Sequence, residues 1–117
     1  MIIFIFFQPL SSARQSFELV SYGDAIYALG GDGNSGEINT MHRYSREKGW
    51  VARANLPYAN HRFCAVADEL NDKIYMIGGY YSHAYYQTRQ YKVSTNTWQY
   101  MDYDYDLSYY ARVCKNM

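Results

Sequence analysis

The chain has no net charge to spend on a partner: eleven basic residues stand against eleven acidic ones. Without a basic field to attract a phosphate backbone, a nucleic-acid role has no electrostatic support. Long apolar runs are also scarce. The amino-terminal run, residues 1–7, is far too short to span a bilayer, lacks a basic flank, and is ended by Gln8 and Pro9 without a small-residue cleavage site. It is expected to be a buried strand, with no membrane partner. No stretch carries a 3.6-residue apolar period with caps at its ends, so helix content should be close to nil.

Cysteine and histidine are few as well. His42, His61 and His83 share no metal-ligand spacing with one another or with Cys64 and Cys114, which argues against a metal site. Each cysteine stands two residues after an arginine, Arg62 or Arg112, and both are expected as equivalent buried thiols. There is no glycine-rich loop leading from a strand into a helix, and no serine or cysteine in a nucleophile motif. The expectation is a protein without catalytic residues or a cofactor.

What the chain does have is tyrosine, fifteen of them, a residue suited to half-buried pleated surfaces and interfaces. It also has a repeat. Residues 26–31, Ile-Tyr-Ala-Leu-Gly-Gly, return as residues 74–79, Ile-Tyr-Met-Ile-Gly-Gly, an offset of 48. Pro9 and Pro57, Arg14 and Arg62, and Trp50 and Trp98 keep that offset. Tyr44 and Tyr91 are 47 apart, so a one-residue change before the tyrosine is reversed after it. Loops absorb such changes, whereas a strand would turn its side chains to the other face.

Four short strands per repeat follow from the apolar segments and the turn residues between them. The first repeat should have strands at 16–22, 25–29, 39–45 and 50–54, and the second at 63–67, 73–77, 87–93 and 98–101. The segments after the double glycines, around 32–36 and 80–86, are expected as loops. Alternating aspartate and tyrosine over 102–106 is expected to be a solvated loop.

The double glycines Gly30-Gly31 and Gly78-Gly79, the downstream tyrosines Tyr44 and Tyr91, the tryptophans Trp50 and Trp98, and the 48-residue period together resemble a kelch repeat protein. The resemblance covers most of the chain. It implies an all-β fold, a partial kelch β-propeller of four-stranded antiparallel blades. Residues 1–8 would be the rim strand of a preceding blade, 9–56 and 57–104 two kelch repeats, and 105–117 the start of a third blade. Because propellers close with four to eight blades, the chain is expected to be a fragment, or to need further blades or another chain.

In kelch proteins the loop after the double glycine and the junction into the first strand contact the partner. Carried over by position, the partner-binding candidates are Asp32, Asn34 and Ser35, then Tyr80, Tyr81, His83 and Tyr85, and Arg14, Arg62 and Arg112. Guanidinium groups beside tyrosines suit acidic peptide side chains. The family implies a cytoplasmic, non-enzymatic protein-binding module, as in the substrate-recognition part of cullin-dependent ubiquitin-ligase adaptors. An actin-associated cytoskeletal kelch protein is the alternative, and a fragment of a kelch-like enzyme of the galactose-oxidase or sialic-acid-epimerase type a more distant one.

Overall fold

A computed structural model describes residues 14–15, 17–33, 36–60, 63–78, 80–81, 83–84 and 88–100. Its strands in chain order are β1 (Arg14–Gln15), β2 (Glu18–Tyr22), β3 (Ala25–Leu29), β4 (Asp32–Gly33), β5 (Gly36–Glu37), β6 (Met41–Ser45) and β7 (Gly49–Arg53). They continue with β8 (Cys64–Asp68), β9 (Lys73–Ile77), β10 (Tyr80–Tyr81), β11 (His83–Ala84), β12 (Thr88–Lys92) and β13 (Thr97–Tyr100). The helical content among the described residues is one 3₁₀ turn, Glu69–Asn71.

The protein is all-β. One antiparallel sheet has the order β2-β3-β6-β7 and a second the order β8-β9-β12-β13, so each repeat yields one four-stranded, blade-like sheet. The chain passes between them through residues 54–60 and 63. Strands β3 and β9 have the bounds expected from the sequence. The others differ at their ends, and the segments following the double glycines, expected as loops, hold the short strands β4–β5 and β10–β11. The offset returns from 47 at the tyrosines to 48 at the tryptophans through the turn before the last strand, which has three residues between Ser45 and Gly49 but four between Lys92 and Thr97. The strands on either side keep their faces.

The core forms where the sheets meet. Ala25, Tyr27 and Leu29 on β3 point one way because side chains alternate across a strand, and with Met41 they pack against Ala65, Ile74, Met76 and Tyr91. Tyr91 is fully buried; its ring lies 6.1 Å from that of Tyr27, edge to face, and 5.1 Å from that of Trp98. Tyr44 and Trp50 form the same pair, 5.2 Å apart. Tyr44 is opposite Ile26 in the register, so this first pair lies on the face of its sheet away from Tyr27. Each sheet thus carries a Tyr–Trp pair on the corresponding face, and the second pair fills the wedge against the first sheet.

Polar bonds close the wedge on both sides. The Tyr91 hydroxyl donates to Asn96 Oδ1 at 2.6 Å and accepts from Arg53 Nε at 3.3 Å. Asn96 Oδ1 also takes the Ala54 N–H at 2.9 Å, and the Trp98 indole N–H reaches the Ala54 carbonyl at 3.4 Å. At the seam where β2 packs on β8, Tyr22 donates to Asp72 Oδ1 at 3.2 Å and the Gly23 N–H to Glu69 Oε1 at 2.9 Å. Asp72 also accepts from the Ser94 hydroxyl and N–H.

These bonds give the seam a pH dependence. The Ser94 hydroxyl above all, with help from the Ser94 N–H and Tyr22, holds the Asp72 carboxyl below its ordinary value of 3.8. A carboxylate favoured in the folded state contributes stability in full above that ordinary value, and the contribution is lost as pH falls through the lower, folded value. Glu18 has the opposite sign: burial raises it above 4.5, against the Ala65 N–H bond that favours its charged form, so its protonation in acid relieves a cost. Asp72→Asn should therefore lose less stability than the parent as pH falls below 3.8. Urea midpoints across that range check this, and parallel losses in the two proteins would remove Asp72 from the seam.

One expectation needs correcting. Cys64, anticipated as a buried thiol, is disulfide-bonded; the sequence has one other cysteine, Cys114, which lies outside the described residues. Equivalence within the repeat suggested two separate core positions. The first strands of the two described sheets, β2 and β8, pack against each other.

Candidate functional site

The end of the sheets that carries the double glycines is organised by one connection. After β7 the chain crosses the corner where β3 ends, and Leu56 N–H donates to the Asn39 carbonyl at 2.7 Å. Asn60 N–H donates to Ile38 O at 3.2 Å, while Asn60 O accepts from Gly31 N–H at 2.8 Å. Glycine is required here by space as well as by angle. Gly30 has φ +59, and a Cβ on it would lie 2.6 Å from Asn60 O, 3.0 Å from Leu56 Cδ1 and 3.1 Å from Phe63 Cε1. Gly31 and Gly78 also have positive φ, +112 and +71, while Gly79 lies outside the described residues.

Asn60 joins the two repeats. Its backbone holds the first double-glycine corner, and its side-chain Nδ2 donates to the Gly78 carbonyl of the second at 3.0 Å. The residue has no exposed surface. Nothing in the repeat announces it: the positions two before the neighbouring arginines are Ser12 and Tyr110, so the overlay gives no asparagine to match. Asn60→Ala should cost about 2 kcal/mol, because the Gly78 carbonyl loses its donor. Urea unfolding checks the value, and a loss of only a few tenths would mean that water replaces the amide.

From the first corner the chain enters β4, which pairs with both β5 and β1. Arg14 is opposite Gly33 and Gln15 opposite Asp32, so the structure brings Arg14 and the half-buried Asp32 onto adjacent strands. From the second corner, Tyr80 pairs with Ala84 and Tyr81 with His83 across the β10–β11 hairpin. Among the expected contact residues, Asn34, Ser35, Tyr85, Arg62 and Arg112 lie outside the described residues. One arginine that the sequence did not single out, Arg89, is buried over the Tyr58 ring at 5.5 Å, bracing the wedge in the manner expected of a structural cation.

Among the described residues no cluster of three or more His, Cys, Asp or Glu side chains is placed to hold a metal ion, and no helix is long and apolar enough to cross a membrane. No protein-family model matches the chain, and no curated protein shows significant similarity to it. The functional reading therefore rests on the repeat, the two sheets and the corners that Asn60 ties together.

Proposed function

We propose that the chain is a non-enzymatic protein-interaction module of kelch-type repeats, part of a β-propeller, whose double-glycine end receives a protein or peptide partner. The observation that carries this reading is the equivalence of the two sheets. Each has the same strand order, a double glycine leaving its second strand, and a Tyr–Trp pair on the same face. Segments leaving the two corners carry Asp32, Tyr80, Tyr81 and His83, with Arg14 on β1 paired beside the first, and the Asn60 tie sets the corners at a fixed spacing. Such a surface suits an acidic peptide, with arginine gripping carboxylate and tyrosines supplying contact area. The proposed role is substrate recognition within a cullin-dependent ubiquitin-ligase adaptor in the cytoplasm.

Two measurements test this reading. Fluorescence polarisation with a labelled acidic peptide library should identify ligands whose affinity falls about tenfold in Arg14→Ala, the loss of one charge-assisted contact; ligands indifferent to Arg14 would move the binding surface elsewhere. The coding sequence upstream tests the adaptor role: a BTB domain there supports it, and an export signal sinks it. The disulfide at Cys64 favours a second setting for the same module, an oxidising compartment. Thiol counting on protein isolated from its source decides between them, since reduced cysteines restore the cytoplasmic setting and oxidised ones exclude it.

A further inference from the structure

The two sheets differ at the end away from the double glycines, where the β2–β3 and β6–β7 turns of the first sheet correspond to the η turn before β9 and the β12–β13 turn of the second. In the second sheet that corner is tied shut. Asp72 accepts from Ser94, and Asn96 is bonded to Tyr91 and Ala54. Asp24 holds the position of Asp72 by the 48-residue offset, but the facing turn reads Arg46-Glu47-Lys48 in place of Ser94-Thr95-Asn96. Instead of a tied corner there is a cavity of about 760 Å³ lined by Asp24, Arg43, Ser45, Arg46, Glu47 and Lys48.

The lining dictates what such a cavity can take. Three cations stand beside two carboxylates, and among the described residues none of these five groups has a hydrogen-bonding or ion-pairing partner for its side chain. Arg43 is half-buried on β6, opposite Tyr27 in the register, and with Arg46 and Lys48 it leaves the cavity one positive charge in excess of its two carboxylates, which suits an anion. The Lys48 N–H donates to Ser45 Oγ at 3.3 Å, which closes the β6–β7 turn. No aromatic ring and no aliphatic side chain is among the described lining residues, so neither a stacked base nor a lipid chain is favoured. Carboxylates beside cations suit a ligand that brings hydroxyl donors together with its negative charge.

We propose that this cavity binds a small phosphorylated polyol, such as a sugar phosphate, with the phosphate held by Arg43, Arg46 and Lys48 and the hydroxyls by Asp24 and Glu47. The site lies at the opposite end of the sheets from the partner-binding surface proposed above, and neither proposal depends on the other. Isothermal titration of the full chain with glucose 6-phosphate, inorganic phosphate and glucose tests it. Glucose 6-phosphate should bind saturably and about tenfold more tightly than inorganic phosphate, with Arg43→Gln and Lys48→Gln each weakening it about tenfold, and glucose should give no heat. Absence of saturable glucose 6-phosphate binding overturns the proposal, as does wild-type affinity in both variants. Equal affinity for inorganic phosphate overturns the polyol assignment. Far-UV circular dichroism checks folding, and if Arg43→Gln does not fold, Lys48→Gln in its exposed turn decides.

Discussion

Gly30→Ala should lose about 4 kcal/mol, while Gly23→Ala should lose about 1 kcal/mol. Both glycines have the same left-handed backbone, φ +59 and +58, so the conformational part of the cost is common to them. Crowding separates them. The nearest atom to a Cβ at Gly23 is Glu69 Oε1 at 3.9 Å, an ordinary contact, whereas at Gly30 it is the Asn60 carbonyl oxygen at 2.6 Å. That oxygen cannot simply retreat, since Asn60 is fixed through its N–H to Ile38, its O to Gly31 and its amide to Gly78. Relieving the clash breaks those bonds, and buried polar groups left without partners cost about 1 to 3 kcal/mol each. Denaturant titration of the two variants gives the comparison, and equal losses would show that the close approach at Gly30 carries no energy.

Trp98→Ala should cost about 3 to 5 kcal/mol, the range for removing a large ring from a packed position. Trp98 packs on the core beside Tyr91, and its indole N–H is one of the bonds to Ala54 across the wedge. Trp98→Phe keeps a ring in the gap and loses the donor, so it should cost about 1 kcal/mol more than a silent change. Tyr91→Phe is expected to fall in the same range, because Asn96 Oδ1 retains the Ala54 N–H when the hydroxyl is gone. The ordering separates ring from donor: thermal melting of Trp98→Ala indistinguishable from the parent would mean that the second sheet does not rest on the first through this pair.

The strands were legible in the sequence where apolar residues run without a break between a turn and a double glycine. That is why β3 and β9 keep their expected bounds. Strand β6 begins at Met41 and not at Asn39, because the carbonyls of Asn39 and Thr40 are taken by Leu56 and Gly30, groups that no local pattern brings to them. The same limit hid the polar ties. Asp72 was readable as a turn residue at the offset of Asp24, but its reach to Tyr22 spans 50 positions. Asn96 could not be found by overlay, since Lys48 holds its place in the first repeat. Asn60 sits in a connection whose neighbours in the repeat differ. In each case the residue acts on a part of the chain distant in sequence, and the period records only what both copies need.

The candidate surface divides in the same way. Gly30, Gly31 and Gly78 were marked by the repeat and do turn the chain at the corners. The pairing of Arg14 with Gly33 was not visible, because two-residue strands leave no alternation to read. The disulfide at Cys64 was not legible in the sequence, because the spacing of each cysteine two residues after an arginine marks a repeated position and says nothing of which sulfur lies beside it.

The claim on which the rest depends is that the second repeat's aromatic pair is buried against the first sheet, while the first repeat's pair faces away from it. Nuclear Overhauser spectroscopy on the labelled chain reads this directly. The account predicts cross-peaks from the Trp98 indole to Ala54 and from the Tyr91 ring to Tyr27, and from Trp50 to Tyr44 but not to Tyr27. Cross-peaks of Trp98 confined to its own sheet, or contact of Trp50 with Tyr27, would contradict it.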